Sequence, residues 1–547
     1  MSILPHLANL TIAAAARPAR ARFSRALHDP RTAQWRNLRR ILQSNATSRY
    51  GRAHRFAGIA DEREFAVRVP LVDYEAMRPW VDSAARGDGA VLTTAPIRFM
   101  EPTGGTSGMS KLVPYTTELL AQFSAATMPW LGDLFGRHPA LARGRAYWAI
   151  TPPGRRESRT TGGIAIGMGD DSDYFPVPLR PFLRQSLAVP GVVGEAPDVA
   201  RCRYLTLRAL LAAPDLTLVS VWSPSFLTLL ADALDANWSA LLHDLEHGTI
   251  SVPLAPSLAA RVGAATAARP ALARSLRRRF GLRAPDDLGL IWRQLTLISC
   301  WTDASAARAL GGMRRRFPGV EVQGKGLLAT EGVVSIPFGD GSPVAAVTSH
   351  YLEFLDPRDG RAYRLDEVEA GGIYEVVLTT GGGLYRYRLR DLVRVDGRVH
   401  RTPRLSFVGR ADGASDIAGE KLTAPLVEHA LGIAARAAGV TASFAMLAPA
   451  WTPAPHYRLY VDGTAADAEG LAIALDHELH GAHHYALCRT LGQLGPVRGV
   501  SVRGGERTYE RACTDRGQRA GVIKPPALEP TPGWERWFEC DDTTVLR

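Results

Sequence analysis

The chain has 547 residues, 46% of them hydrophobic and 22% charged. That length allows a large buried core without disulfides or a structural metal, and the composition excludes collagen-like, low-complexity and wholly disordered classes. Lys and Arg number 65 against 54 Asp and Glu, a net charge of +11, which bears on partners and not on fold.

Residues 1–60 read as helices, with Trp35, Leu38, Ile41 and Leu42 at helical spacing on one face. The apolar start of the chain is followed, not preceded, by Arg17, Arg20 and Arg22, the wrong polarity for a secretory signal. From about residue 90 to 410, short strands alternate with longer helical stretches, which predicts an α/β architecture. Residues 123–135 and 225–242 read as helices, and 295–300 and 320–323 as strands. The most apolar window, 216–234, is interrupted by Pro224 and several Ser and Thr, so no transmembrane helix is expected.

A hairpin follows, with a strand at 374–378, a Gly381-Gly382-Gly383 turn and a return strand at 384–389. A period of two puts Tyr385, Tyr387 and Leu389 on one face and Arg386, Arg388 and Arg390 on the other. This predicts an antiparallel meander or barrel. The small, polar stretch 411–419 marks a hinge. It divides the chain into a large domain (1–410) and a small α+β domain (420–547), with strands at 443–447, 457–461 and 497–502, a helix at 465–485 and an irregular final forty residues.

Several constellations carry less than they suggest. Cys202, Cys300, Cys488, Cys513 and Cys540 are odd in number, scattered and without a CxxC pair, which fits thiols in a reducing cytoplasm. His477-Glu478-Leu479-His480 is not HExxH, because position 481 is Gly481. His243 and His247 are spaced i, i+4 but lack evident further ligands. No GxSxG elbow occurs. The triplets Arg277-Arg278-Arg279 and Arg314-Arg315-Arg316 lack interleaved aromatics, so they read as solvated faces and not as a nucleic-acid surface.

The most informative stretch is Glu101-Pro102-Thr103-Gly104-Gly105-Thr106-Ser107-Gly108-Met109-Ser110-Lys111, flanked by strand-like residues. Glycines let backbone approach an anion, successive N–H groups form a nest, hydroxyls add donors and lysine adds a point charge. Neither the Walker GxxxxGK[ST] pattern nor GxGxxG fits here. Further segments follow in order: Gly326-Leu327-Leu328-Ala329-Thr330-Glu331-Gly332, Tyr385-Arg386-Tyr387-Arg388-Leu389-Arg390-Asp391, Gly409-Arg410-Ala411-Asp412 and Gly419-Glu420-Lys421-Leu422-Thr423.

This ordered set resembles the adenylate-forming superfamily of acyl-CoA synthetases, luciferases and nonribosomal adenylation domains. Within it, the chain is similar to the Gretchen Hagen family of acyl-acid amido synthetases, known from auxin-responsive plant members and present in bacteria. Lys111-Leu112-Val113-Pro114-Tyr115-Thr116, Ile298-Ser299-Cys300-Trp301-Thr302-Asp303 and Leu491-Gly492-Gln493-Leu494-Gly495 extend the resemblance over nearly the whole chain. Three positions depart from it: Gly104 stands in place of Ser, Arg390 in place of a glycine before the aspartate, and Ala424 in place of an acid.

The resemblance implies an α/β adenylate-forming fold: a large N-terminal domain of α/β subdomains with a small β-barrel, and a mobile C-terminal lid. It implies ATP and Mg²⁺ as cofactors, and a carboxylic acid and an amine (an amino acid or amine-bearing intermediate) as substrates. The missing apolar run, the bare arginine triplets and the scattered thiols predict no membrane or nucleic-acid partner and a cytoplasmic location. Abundant Ala, Arg and Gly suggest a GC-rich bacterial genome, and a bacterial member of the family would serve natural-product assembly instead of hormone conjugation. The alternatives are transfer to a thiol, of coenzyme A or a carrier protein, and a non-adenylating ATP-binding homologue.

Residue by residue, the resemblance places Thr103, Gly104, Gly105, Thr106, Ser107, Gly108 and Lys111 around the β- and γ-phosphates, and Ala329 and Thr330 at the α-phosphate. It places Asp391 on the ribose hydroxyls, Arg410 on ribose or phosphate, and Glu331 as the oxygen ligand of Mg²⁺. By its place in the order, the stretch Trp301, Thr302, Asp303, Ala304 and Ser305 forms part of the adenine wall. Lys524 is the counterpart of the mobile catalytic lysine, and Lys421 an active-site or hinge contact; lysine is scarce here beside arginine. Trp222, Ser225 and Phe226 sit where the family lines its acyl pocket, with core aromatics at a helix start as the alternative.

Overall fold

The computed structural model describes residues 3–103, 111–149, 158–167, 174–304, 306–411, 415, 417–418, 420, 422–452, 454–490, 494–518 and 523–538. Four parallel strands lie side by side in the order Arg145–Trp148, Leu216–Ser220, Leu297–Cys300 and Glu321–Gly324. The two inner strands are buried at every position, as a sheet covered on both faces requires. Their alternation splits two cores. Val219 and Ile298 join Leu205, Leu230, Leu234 and Trp238 on one face, while Leu218 and Leu297 join Ile12, Met128 and Leu131 on the other.

The apolar window 216–234 is therefore not one helix. It is the strand Leu216–Ser220 followed by the helix Pro224–His247. Proline is suited to that first turn, where its missing N–H has no intrahelical acceptor. No described helix is long and apolar enough to cross a membrane.

The antiparallel part is a seven-stranded sheet, in the order Ser335–Pro337, Pro343–Ala345, Thr402–Arg410, Tyr387–Val399, Ile373–Thr379, Tyr351–Leu355 and Ala362–Arg364. It shares a core with the N-terminal helices: Phe23, Leu38, Ile41, Tyr50, Tyr351, Tyr385 and Leu389 form one cluster. The return strand of the expected hairpin starts at Tyr387 and not at 384, because the chain turns a corner at Arg386. Its φ is +45°, and its N–H donates to Thr379 Oγ1 at 2.9 Å. Tyr385, Tyr387 and Leu389 are buried together as their period predicts, but Arg386 is buried as well. Its guanidinium donates to Glu353 at 2.9–3.2 Å and to the carbonyls of Ala66 and Val69 at 2.8 and 3.0 Å, clamping the first helices to the sheet.

Beyond residue 416 the chain builds cores of its own. The sheet Ala445–Ala450, His456–Asp462 and Arg498–Val502 carries Ala424–Ala438 and Ala465–Leu479 on one face and Gly505–Asp515 on the other. Two expectations change here. The 465–485 helix is two, Ala465–Leu479 and His483–Thr490, and the last forty residues open with most of the helix Gly505–Asp515. Among the described residues Cys202, Cys300, Cys488 and Cys513 are buried and form no disulfide.

Candidate active site

Phe99–Thr103 and Lys111–Tyr115 pair antiparallel, with Thr103 opposite Lys111. The glycine-rich connection is thus closed at its base by strand pairing. Gly104, Gly105, Thr106, Ser107 and Gly108, and the Thr103 side chain, lie outside the described residues, as do Ser305, Lys421 and the side chains of Ser225 and Arg410. Lys111 Nζ lies 5.6 Å from the centroid of the Tyr74 ring, and Tyr74 Oη accepts the Leu112 N–H at 2.8 Å.

The other end of that strand fixes a second motif. Tyr115 is fully buried, and its hydroxyl donates to the Thr330 carbonyl at 2.6 Å. Burial pushes its phenol well above the ordinary range, so it remains a donor. Thr330 and Glu331 form the tip of a tight hairpin whose arms are Leu328–Ala329 and Gly332–Val333. A Cβ at Gly332 would lie 2.9 Å from His350 Nε2, which explains glycine after Glu331. Sequence reasoning did not single out Tyr115; a tyrosine just inside the strand that leaves the loop was the available signal.

Asp391 is buried and pairs across the ladder with Arg410. The two arginines just before it in sequence are engaged elsewhere: Arg388 with Glu375 at 2.7 Å, and Arg390 with Asp73 at 3.3 Å. Arg390 has φ +66°, the left-handed region where glycine is the ordinary choice. The departure noted in the sequence is therefore a strained backbone position held by its ion pair.

Trp301, Thr302, Asp303 and Ala304 leave the carboxyl end of the parallel strand Leu297–Cys300, the edge at which open α/β sheets bind ligands. Asp303 Oδ2 accepts the Phe407 N–H at 3.1 Å, and Oδ1 accepts from Thr302 Oγ1 at 3.2 Å. This aspartate ties the parallel sheet to the strand carrying Arg410.

Lys524 comes into this corner from the far end of the chain. Its segment adds to the edge of the C-terminal sheet: Leu447 N–H donates to the Ala527 carbonyl, and Glu529 N–H to the Leu447 carbonyl, both at 2.8 Å. The ammonium lies 3.2 Å from the Trp301 ring centroid and 6.0 Å from that of Phe407. Burial pushes its pKa down to about 7, against the opposing pull of Asp391 and Asp303. Helix Gly505–Asp515 braces the same arrangement, since Glu510 accepts two bonds from Arg203 at 2.9 Å and Arg507 pairs with Asp232.

On the acyl side the named aromatics part company. Trp222 contacts Trp301, ring centroids 5.3 Å apart, and its carbonyl accepts the Trp301 N–H at 2.8 Å. Phe226 is buried in the core cluster that also holds Val221, Leu227 and Leu230. Two residues not anticipated stand beside Trp222: Lys325, 5.4 Å from its ring centroid, and Trp130, 5.6 Å from the same ammonium. The isolated lysine in Gly324-Lys325-Gly326 was the legible sign.

Of the discounted groups, Arg314 comes within electrostatic reach of Cys300 at this corner. Among the described residues no three His, Cys, Asp or Glu side chains gather as a metal site. His477 is exposed, and the His243 and His247 rings lie tilted against each other, centroids 4.4 Å apart. Arg277 and Arg316 form ion pairs with Glu246 and Asp235.

Residues 19–322 match the model described as the GH3 family N-terminal domain, and residues 344–410 the GH3 family central domain. The chain is 28% identical over 437 residues to the probable indole-3-acetic acid-amido synthetase GH3.12 of Oryza sativa subsp. japonica, covering 71% of this chain and 70% of that protein. It is 28% identical over 389 residues to the jasmonoyl-L-amino acid synthetase GH3.3 of the same plant, covering 66% and 83%. The solved GH3.15 acyl acid amido synthetase superimposes with a TM-score of 0.80 at 21% identity over 94% of both chains. The AtGH3.15 complex with 2,4-DB superimposes with a TM-score of 0.82 over 95% of both. At that identity the likeness is one of fold.

Proposed function

The chain belongs to the GH3 family, and on that premise we propose that it is an ATP-dependent acyl-acid amido synthetase. A carboxylate oxygen attacks the α-phosphorus of ATP, the bond to the β-phosphate breaks, and pyrophosphate leaves. The amine of an amino acid then attacks the acyl carbon of the adenylate; the C–O bond to AMP breaks, and the nitrogen loses a proton. The observation that carries this reading is Lys524, brought by the C-terminal segment onto Trp301 and toward Asp391 and Asp303. A partly buried ammonium facing carboxylates suits a polyanion whose charge shifts during reaction.

In this reading Asp391 accepts hydrogen bonds from the ribose hydroxyls, and the loop from Thr103 to Lys111 takes the outer phosphates. Thr330, held by Tyr115, meets the α-phosphate, and Arg410 stands across the ladder from Asp391. Lys524 neutralises charge on the transferring group. Glu331, a carboxylate at the tip of the Leu328–Val333 hairpin, would hold a Mg²⁺ ion through its oxygens. The ion supplies neutralisation of phosphate charge. A hinge at 411–419 lets the lid, residues 420–547, withdraw Lys524 so that the amine can enter, with Lys421 as a contact at the moving edge.

The test is ATP–pyrophosphate exchange over a panel of carboxylic acids, followed by trapping with amino acids, hydroxylamine and coenzyme A. Acid-dependent exchange with amide as the product supports the reading; thioester as the preferred product, or no exchange with any acid, overturns it.

A further inference from the structure

Only four of the 65 Lys and Arg residues are lysines: Lys111, Lys325, Lys421 and Lys524. Three have places in the adenylation chemistry just described; the fourth, Lys325, has none. It follows the strand Glu321–Gly324 directly, at the carboxyl edge of the parallel sheet, and its N–H donates to the Cys300 carbonyl at 3.0 Å. The glycines on either side hold it in place. A Cβ at Gly326, where φ is +74°, would meet the Ser335 carbonyl oxygen at 2.6 Å, and one at Gly324 would meet Thr302 Oγ1 at 2.5 Å.

The ammonium donates to Ser220 Oγ at 2.5 Å and lies within 5.6 Å of the Trp130 and Trp222 ring centroids. Among the described residues it forms no ion pair, and Cys300 is the one group whose charge raises its pKa; burial pushes that pKa down to about 8. An ammonium has three N–H donors and one is spent on Ser220. The site is thus a cation on an aromatic cushion, with donors left over and no carboxylate of its own. Trp222 beside it contacts the Trp301 ring on which Lys524 lies, and both ammonium groups come within electrostatic reach of Cys300.

We infer that Lys325 is a specificity-determining residue of the acyl pocket, selecting carboxylic acids that carry a second, non-reacting anionic oxygen group. The inference rests on the ligase reading for the presence of an acid in this pocket. The reacting carboxylate is not the partner of Lys325, because its charge is lost on adenylation. A cation paired with it would stabilise the ground state over the transition state and slow the step. A second carboxylate keeps its charge through both half-reactions, so an ammonium holding it lowers KM and leaves kcat in place.

The experiment compares matched pairs, hexanoate against adipate and phenylacetate against 1,4-phenylenediacetate, in ATP–pyrophosphate exchange. For the wild-type protein kcat/KM favours the diacid by about 100-fold, well above the statistical advantage of a second carboxylate. Lys325→Met collapses that ratio through KM, and Lys325→Arg, which keeps the cation, retains part of it. Should Lys325→Met fail to fold, Ser220→Ala carries the test: it leaves the charge but frees its position, and the ratio falls. A wild-type ratio near one, or a ratio unchanged in the variants, overturns the inference. Loss of exchange with both members of each pair alike also overturns it. If no acid supports exchange, the ligase reading fails, and quenching of tryptophan fluorescence by each acid without ATP decides Lys325 separately. Tighter binding of the diacid, abolished by Lys325→Met, upholds it, and equal binding of the two acids overturns it.

Discussion

Replacing Lys524 with alanine removes an ammonium that lies 3.2 Å from the Trp301 ring centroid and faces Asp391 and Asp303. Deleting one preorganised charge from a phosphoryl-transfer site lowers the rate by about 10²–10³, or about 3–4 kcal/mol. On the proposed mechanism the loss should fall on adenylation alone, since the lid would withdraw this lysine before the amine attacks. Lys524→Ala is therefore expected to lose about 100-fold or more in pyrophosphate exchange, while aminolysis of supplied acyl-adenylate proceeds close to the wild-type rate. Single-turnover quench-flow measurements on each half-reaction separate the two. Burial holds the pKa of this lysine at about 7 in the free protein, and the protonated form is the active one. The kcat/KM for ATP in the exchange reaction should then fall as pH rises above about 7, and Lys524→Arg, whose cation does not titrate there, should extend the limb to higher pH. Equal losses in both half-reactions, or none in either, would refute this role.

Asp391→Asn removes a charged acceptor from the ribose and should raise KM for ATP about 10-fold to 100-fold, read in the exchange assay with acid saturating. Glu353→Ala strands the buried Arg386 guanidinium and should cost about 3–5 kcal/mol of stability, measured by urea unfolding. Burial, with Asp462, Glu510 and Asp232 nearby, raises Glu506 to about 7. The folded protein then holds a proton that the unfolded chain has released above its ordinary value of 4.5. Stability should fall as pH rises between those values, and Glu506→Gln should flatten that slope in a series of thermal melts.

The motifs were legible because phosphate chemistry forces them into short contiguous stretches. Glycines, hydroxyls and a lysine must sit within one short stretch of chain to wrap an anion, and positions 103–111 carry them in sequence. The period of two correctly buried Tyr385, Tyr387 and Leu389. It failed at Arg386, where a left-handed backbone and a distant carboxylate, Glu353, overrode the alternation. Phe226, read from the sequence as either a pocket or a core aromatic at a helix start, lies in the core cluster with Leu227 and Leu230.

By itself the sequence determined the family, the order of the nucleotide motifs and the separateness of a C-terminal part, since each is written in local composition or spacing. Only the tertiary structure decided which of these groups meet. Tyr115 reaches Thr330 across 215 residues of chain. Ser220, Cys300 and Lys325 become neighbours because the strands they end are parallel. Lys524 reaches Asp391 because its segment pairs with the edge of a sheet begun some 80 residues earlier. Parallel strands and added edge strands join residues far apart in the chain, so no local pattern announces them, and the environment of each lysine is set only when those contacts close.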